Sequence, residues 1–302
     1  MKKILSLAAV LILSVSLIGC NAITIDGEES GVQKENKGGI GFSVSTLNNP
    51  FFVSLSEGAE KEAKSKGENL IVLDAGDDAA KQTSDIEDLI SKNISVLIVN
   101  PVDSDAVAPA VQDAISKGIK VISVDRGVNG VEVDSAIASD NVEGAKMATE
   151  YMASLLGENS EVVELEGVPG ASATIERGKG FHMAADHTLK VLSSQTANFN
   201  RSEGMSVMEN MLQANPQIKG VFAHNDEMAL GAVEAIGNRE IIVVGFDATD
   251  DAVKAVQNGR MAATVAQKPS LMGEIAVKTA ISLKNGGNVE KVIRVEVELI
   301  KK

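Results

Sequence analysis

Short runs of Val, Ile and Leu alternate along most of this chain with segments of helical periodicity, and that alternation confines it to a small set of folds. Ile40 to Val44 reads as a strand. Pro50 to Lys66 reads as a helix, with Asn49 as N-cap, Pro50 in the first turn and Gly67 at its end. Phe52, Leu55, Ala59 and Ala63 share one face of it. Leu70–Leu73, Val96–Val99 and Lys120–Val124 read as strands, with helices at Ala79–Ser91 and Ser104–Lys117, the latter closed by Gly118. Such an order implies βαβ units around parallel sheets covered on both faces. The pattern pauses near Ser135 to Asn141. It resumes with strands at Glu161–Leu165, Leu189–Leu192, Ile218–Phe222, Ile241–Gly245 and Ala262–Ala266. These are too many strands for one small sheet, so the expected class is α/β with two lobes, each a doubly wound parallel sheet. The periodicity does not assign Pro269 to Lys302 to either lobe.

The leading residues carry a different pattern. Lys2 and Lys3 precede the apolar stretch Ile4 to Leu17 and the sequence Leu17-Ile18-Gly19-Cys20. A basic start, a short apolar run and small residues before a cleavage point describe a secretory leader. The run is short of the roughly 20 residues that a transmembrane helix needs. Its ending resembles a bacterial lipoprotein signal, which makes residues 1–19 the signal peptide and Cys20 the lipidated residue. A plain membrane anchor is the alternative. Cys20 is the only cysteine of the chain. Once it is lipidated, no disulfide, CxxC pair or cysteine-based zinc site can form, and the fold rests on its core. Residues 20–37 are polar and charged beyond the cysteine, and read as a tether that spans roughly 20–25 Å. The formal charge of −14 excludes a nucleic-acid footprint, which would be basic. It reads as a solvated surface.

In open parallel sheets, ligands bind beyond the carboxyl ends of the strands. Those positions hold Asn49-Pro50-Phe51-Phe52, Asp125-Arg126, a loop leading to Arg177, then Asn225-Asp226, Phe246-Asp247 and Gln267. Planar amide, carboxylate and guanidinium groups can each meet two neighbouring hydroxyls, and aromatic rings can cover a sugar's apolar faces. The chain has no Trp, one Tyr and seven Phe. Four of those phenylalanines, Phe51, Phe52, Phe199 and Phe246, fall at or near the loop positions, although core packing would account for any one of them alone.

Seven segments, in this order, carry a more specific likeness: Ser45 to Phe52, Asp125-Arg126, Ile137 to Asn141, Glu176-Arg177-Gly178, Asn225 to Leu230, Val244 to Asp247, and Ala263 to Gln267. From about Gly38 to near the C-terminus the chain resembles the ribose-binding members of the type I periplasmic binding family. That resemblance implies two lobes, residues 38–139 with 268–296 and residues 140–267 with 297–302, joined by a three-strand hinge with the ligand in the interlobe cleft. It implies that D-ribose is held by Asn49, Asp125, Arg126, Arg177, Asn225, Asp247 and Gln267, with Phe51, Phe52, Phe199 and Phe246 around its ring. It further implies a monomer without cofactor, held outside the cytoplasm on the outer face of the cell membrane by its lipid alone. The partners so implied are an ABC transporter's permease and ATPase, with a chemoreceptor as a second candidate reader. Three positions depart from the family pattern: a short loop at Gly237 to Arg239, Ala248 where Gly is familiar, and Ile175 in place of a frequent Arg.

Other readings compete with this one. Asp125-Arg126 could be a surface ion pair worth about 0–1 kcal/mol. Arg177 could be a helix-face charge, and Asn49 only a cap. Asp125 and Asp247 could serve a glycosidase, but neighbouring arginines are expected to keep both ionised, and no poised acid stands out. His182, His187 and His224 lack metal spacing, and the Gly-rich start at Gly38 lacks a phosphate-binding fingerprint. A transcription regulator of the same fold would begin with a basic DNA-binding helix pair rather than a leader. Within the binding-protein class, another pentose, a hexose or a furanose-like signal molecule remains as an alternative ligand. No calcium loop of the DxDxDG kind is present.

Overall fold

The computed structural model describes residues 38–302. The expected signal peptide, lipidated Cys20 and tether therefore lie outside the described residues. The first half of the described chain runs β1 (Ile40–Val44), α1 (Pro50–Lys66), β2 (Leu70–Asp74), α2 (Ala79–Ser91), β3 (Val96–Val99), α3 (Ala108–Ser116), β4 (Lys120–Val124) and β5 (Ser135–Ser139). It continues with α4 (Asn141–Leu156), β6 (Glu161–Glu166), α5 (Ser172–Thr188), β7 (Lys190–Thr196), α6 (Arg201–Ala214), β8 (Gly220–Ala223), α7 (Asp226–Ile236), β9 (Ile242–Asp247), α8 (Asp250–Gln257), β10 (Ala263–Ala266), α9 (Pro269–Lys284), β11 (Val292–Val295) and β12 (Glu298–Lys301).

These strands form two six-stranded sheets, in the orders β11-β5-β4-β3-β1-β2 and β12-β10-β9-β8-β6-β7. Each sheet reverses direction of growth at its first strand, so β1 lies between β2 and β3, and β6 between β7 and β8. Every pairing is parallel except that of β12 with β10, which is antiparallel. The two-lobed α/β architecture expected from the alternation is thus present, with one edge strand of opposite sense. The chain passes between the sheets three times: from β5 into α4, from β10 into α9, and from β11 to β12.

Each sheet is covered on both faces, which is why its central strands are almost uniformly apolar. One face of the first sheet buries Phe42, Leu55 and Met272 against α1 and α9. Its other face buries Leu97, Val111 and Val121 against α2 and α3. In the second sheet, Phe181, Phe222 and Phe246 form a core under α4 and α5, and Met208, Met228 and Val243 one under α6 and α7. At roughly 25 cal/mol per Å2 of apolar surface removed from water, such side chains contribute about 1.5–3 kcal/mol each.

Local signals set the helix that opens the first crossover. The Asn49 side chain accepts from the Phe51 N–H, Pro50 occupies the first turn, and Gly67 ends the helix at φ 67°. Two expectations shift. Residues 104–107 form turns rather than the start of a helix, and α3 begins at Ala108. The pause at Ser135 is itself the strand β5, whose sequence Ser-Ala-Ile-Ala-Ser is too weakly apolar to announce itself.

Candidate functional site

The carboxyl ends of both sheets face each other across a small cavity. From the first lobe, the loop and helix after β1 supply Asn49, Phe51 and Phe52, and the end of β4 supplies Asp125 and Arg126. From the second lobe come Arg177 after β6, Phe199 after β7, Asn225 after β8 and Asp247 ending β9. Gln267 lies on the crossing from β10 to α9. Ala173, which the sequence does not single out, completes the lining.

Phe246 differs from its expectation. It does not line the cavity and is fully buried in the core beneath α4 and α5. Its ring lies 4.0 Å from the Arg177 guanidinium carbon, so it supports the arginine rather than a ligand. Arg177 follows the strand-end loop and sits in the second turn of α5.

The surface ion-pair reading of Asp125 and Arg126 fails, since they are only 3% and 4% exposed. Asp125 adopts φ 65°, a left-handed conformation that only a supported residue holds. Asn100, which follows β3, donates to Asp125 Oδ2 at 3.3 Å and to the Val124 carbonyl at 3.1 Å, and accepts from the Ser45 backbone N–H and hydroxyl. Arg126 donates Nη1–H to the Pro101 carbonyl at 2.9 Å. Its guanidinium lies between the Phe52 and Phe199 rings, 5.0 and 5.1 Å from their centroids. Arg177 donates Nε–H to Asn141 Oδ1 at 2.9 Å and Nη1–H to the His224 carbonyl at 2.6 Å. Sequence reasoning misses Asn100 and Asn141 as supports. The strand-end rule that finds Asp125 points to Asn100 when applied to β3.

Phe199 and the preceding Asn198 are both left-handed, at φ 58° and 51°. A Cβ on Gly167 would stand 2.0 Å from the Phe199 ring, so a glycine there makes room for the aromatic. Strain concentrated in Asp125, Phe199 and Asp247 marks the same cavity three times over.

The charges nearly balance. Arg126 Nε lies 3.7 Å from Asp125 Oδ2, and Arg177 Nη1 lies 3.8 Å from Asp247 Oδ1. Both gaps exceed a hydrogen bond. Gln267 donates to Asp247 Oδ1 at 2.7 Å. Asp125 Oδ1, Arg126 Nε and Gln267 Oε1 are buried with no protein partner, so two acceptors and one donor are left to serve a ligand. The arginines do not keep the carboxyls in their ordinary range. Burial pushes Asp125 up in spite of Arg126 and Arg177, and pushes Asp247 up to about 7 in spite of Arg177. The argument from ionisation against an acid–base role therefore falls.

Two of the histidines belong to a neighbouring cluster. His224 Nε2 and His182 Nε2 lie 2.8 and 3.2 Å from the two oxygens of Glu164, and Ser194 also donates to that carboxylate. Burial works against the Glu164 charge, but the hydrogen bonds from His224 and Ser194 hold its carboxyl below the usual range.

Comparisons with known proteins follow the same lines. The model of the periplasmic binding protein domain family matches residues 40–288. The ribose import binding protein of Bacillus subtilis is 47% identical over 99% of either chain. That of Escherichia coli is 45% identical, covering 100% of this chain and 99% of its own. Among solved structures, the Caulobacter myo-inositol binding protein with bound myo-inositol superposes with a TM-score of 0.84 at 32% identity, covering 89% of this chain and 95% of its own.

Proposed function

The chain belongs to the periplasmic binding protein family, and from that premise we propose that it is an extracytoplasmic solute-binding protein that captures D-ribose and delivers it to an ABC importer. Its near full-length relatives are ribose import binding proteins, and the family binds solutes rather than transforming them. The observation that carries the ligand class is the convergence of Asp125, Arg126, Arg177, Asp247 and Gln267 from both lobes on one small buried cavity, with unpaired acceptors and a donor facing it. A pentose supplies hydroxyls that donate to Asp125 and Gln267 and accept from the arginines. The Phe51, Phe52 and Phe199 rings cover its apolar faces. Asn49 and Asn225 give further amide contacts while capping α1 and α7.

In this reading, residues 38–139 with 268–296 and residues 140–267 with 297–302 move as two bodies about the three crossings. Hinge closure around a ligand is the known motion of periplasmic binding proteins. The permease reads the closed form, as would a chemoreceptor, and the protein acts as a monomer. Lipidated Cys20 keeps it at the membrane, which detergent phase partitioning checks: Cys20→Ala should move the protein from the detergent to the aqueous phase.

The deciding experiment is calorimetric titration of the purified protein with D-ribose, against D-xylose, D-glucose, D-galactose and L-arabinose. One-to-one binding of ribose, recovered unchanged, is expected. A preference for a different sugar would keep the class and replace the ligand. The myo-inositol bound by the Caulobacter protein favours including cyclic polyols in that panel.

A further inference from the structure

Asp226 follows Asn225 at the first position of α7 and is wholly buried, outside the cavity lining. An acid in the first turn suits the helix dipole, but an exposed acid would suit it equally well without loss of hydration. The Asp226 carboxylate turns away from its own helix. Oδ2 accepts from the Thr249 backbone N–H at 2.8 Å and from the Thr249 hydroxyl at 3.3 Å. Oδ1 accepts from the Thr264 hydroxyl of β10 at 2.7 Å. Thr264 Oγ1 in turn accepts from the Ala248 N–H at 3.1 Å.

The segment gripped in this way is the one that aims Asp247. Asp247 and Ala248 adopt φ 124° and 55° without a glycine at either position. Such backbone persists only where its surroundings over-determine it. Ala248 is also the position at which the family pattern leads one to expect glycine. Gly245 clears space for the arrangement, since a Cβ there would stand 2.3 Å from Asp226 Oδ1.

We propose that Asp226, acting with Thr264, is a positioning residue of the binding site: it holds the strained turn 247–249 and so aims the Asp247 carboxylate at the bound sugar. The inference rests on the reading of the cavity as a sugar site. The groups that face Asp247 are Arg177 from α5, Gln267 beyond β10, Asp125 and Arg126 beyond β4, and Asp226 and Glu227 from α7. Burial, with the Asp247 charge beside it, pushes the Asp226 carboxyl well above the usual range.

The test is ribose titration, with thermal unfolding alongside, on the full protein and on D226A, T264V and T264S. D226A removes both acceptor oxygens that hold the turn. The expected result is a loss of affinity of roughly tenfold or more. T264V should lose affinity as well, and T264S, which keeps the hydroxyl, should recover it. Wild-type affinity in D226A, together with wild-type affinity in T264V, would overturn the proposal. So would a loss of affinity in T264V that T264S does not restore, because a merely structural role predicts that. Should D226A fail to fold, T264V against T264S decides. Failure of the wild-type protein to bind ribose would sink the sugar reading and this inference with it, whereas ribose binding untouched by these substitutions would sink the inference alone.

Discussion

Arg177 shows how a single side chain is made rigid before a ligand arrives. Its Nε–H and Nη1–H are committed to Asn141 and the His224 carbonyl, and Phe246 lies under its plane at 4.0 Å. A fork fixed on three sides loses little entropy when it donates to a sugar hydroxyl. Arg177→Ala is expected to remove a charge-assisted bond of roughly 1.5–3 kcal/mol. Ribose affinity should then fall by about ten- to a hundredfold in calorimetry, and unchanged affinity would remove Arg177 from the site. Asp247 gives a prediction of the opposite kind, for the sugar-free protein. Its carboxyl is pushed up to about 7 by burial, while in the unfolded chain it titrates near ~4. Between those values the folded state holds a proton that the unfolded state has released, so stability falls as pH rises across that window. The unfolding temperature of the free protein should drop from pH 5 to pH 7.5, and Asp247→Asn should flatten the drop. Equal slopes in the two proteins would mean that Asp247 ionises ordinarily in the fold.

At the scale of elements, the legible and the illegible parts of the sequence separate by physical cause. α1 is legible because cap, proline and terminal glycine act within a few residues of one another. The cavity's strand-end residues are legible because a parallel sheet gathers the carboxyl ends of its strands on one side. β5 is not, since two serines and two alanines fill a strand whose burial is decided by α9 and by β11 from far along the chain. The helix that carries Arg177 is weakly marked because α5 has Gly178 and Gly180 in its middle, and Gly180 serves close packing: a Cβ there would lie 2.2 Å from the Val142 carbonyl. Phe246 reads as a sugar contact because sequence alone cannot tell a ring that touches a ligand from one that backs an arginine. The connection after β7 gives an element-scale test. Gly167 admits the Phe199 ring only because it has no Cβ. Gly167→Ala should displace the ring, costing about 1–3 kcal/mol of stability by overpacking. It should also weaken ribose binding, since the displaced ring is the one between Arg126 and Arg177. Calorimetry alongside thermal unfolding checks both, and a variant with native affinity would show that Phe199 does not face the sugar.

For the molecule as a whole, the question is what holds two lobes closed over a small ligand. Only a difference in affinity between open and closed states can drive closure, and a cavity lined from both lobes is where the proposed sugar would supply it. The protein also closes on itself. The Ser104 N–H donates to the Gly170 carbonyl at 3.2 Å, the Ser172 N–H donates to Ser104 Oγ at 3.2 Å, and the Gly127 N–H donates to Ser172 Oγ at 2.9 Å. Ser104 and Gly127 follow strands of the first sheet, and Gly170 and Ser172 follow β6 of the second. Gly170 fits there because it is left-handed at φ 88° and because a Cβ would meet Asp103 Oδ2 at 2.3 Å. These three bonds are made only when the lobes meet, so their strength belongs to the closed state alone. Each is worth about 0.5–1.5 kcal/mol net, which biases the hinge toward closure. The double substitution Ser104→Ala and Ser172→Ala removes the two hydroxyl-mediated bonds. It should raise the ribose dissociation constant by roughly 5- to 100-fold, mostly through faster release. Small-angle scattering should show the wild-type protein compacting on ribose addition, and the double variant compacting to the same dimensions at higher ribose. No compaction in the wild type would remove the hinge mechanism. Compaction at the same ribose concentration in both would mean that the sugar alone, without the direct contact between lobes, sets the closed state.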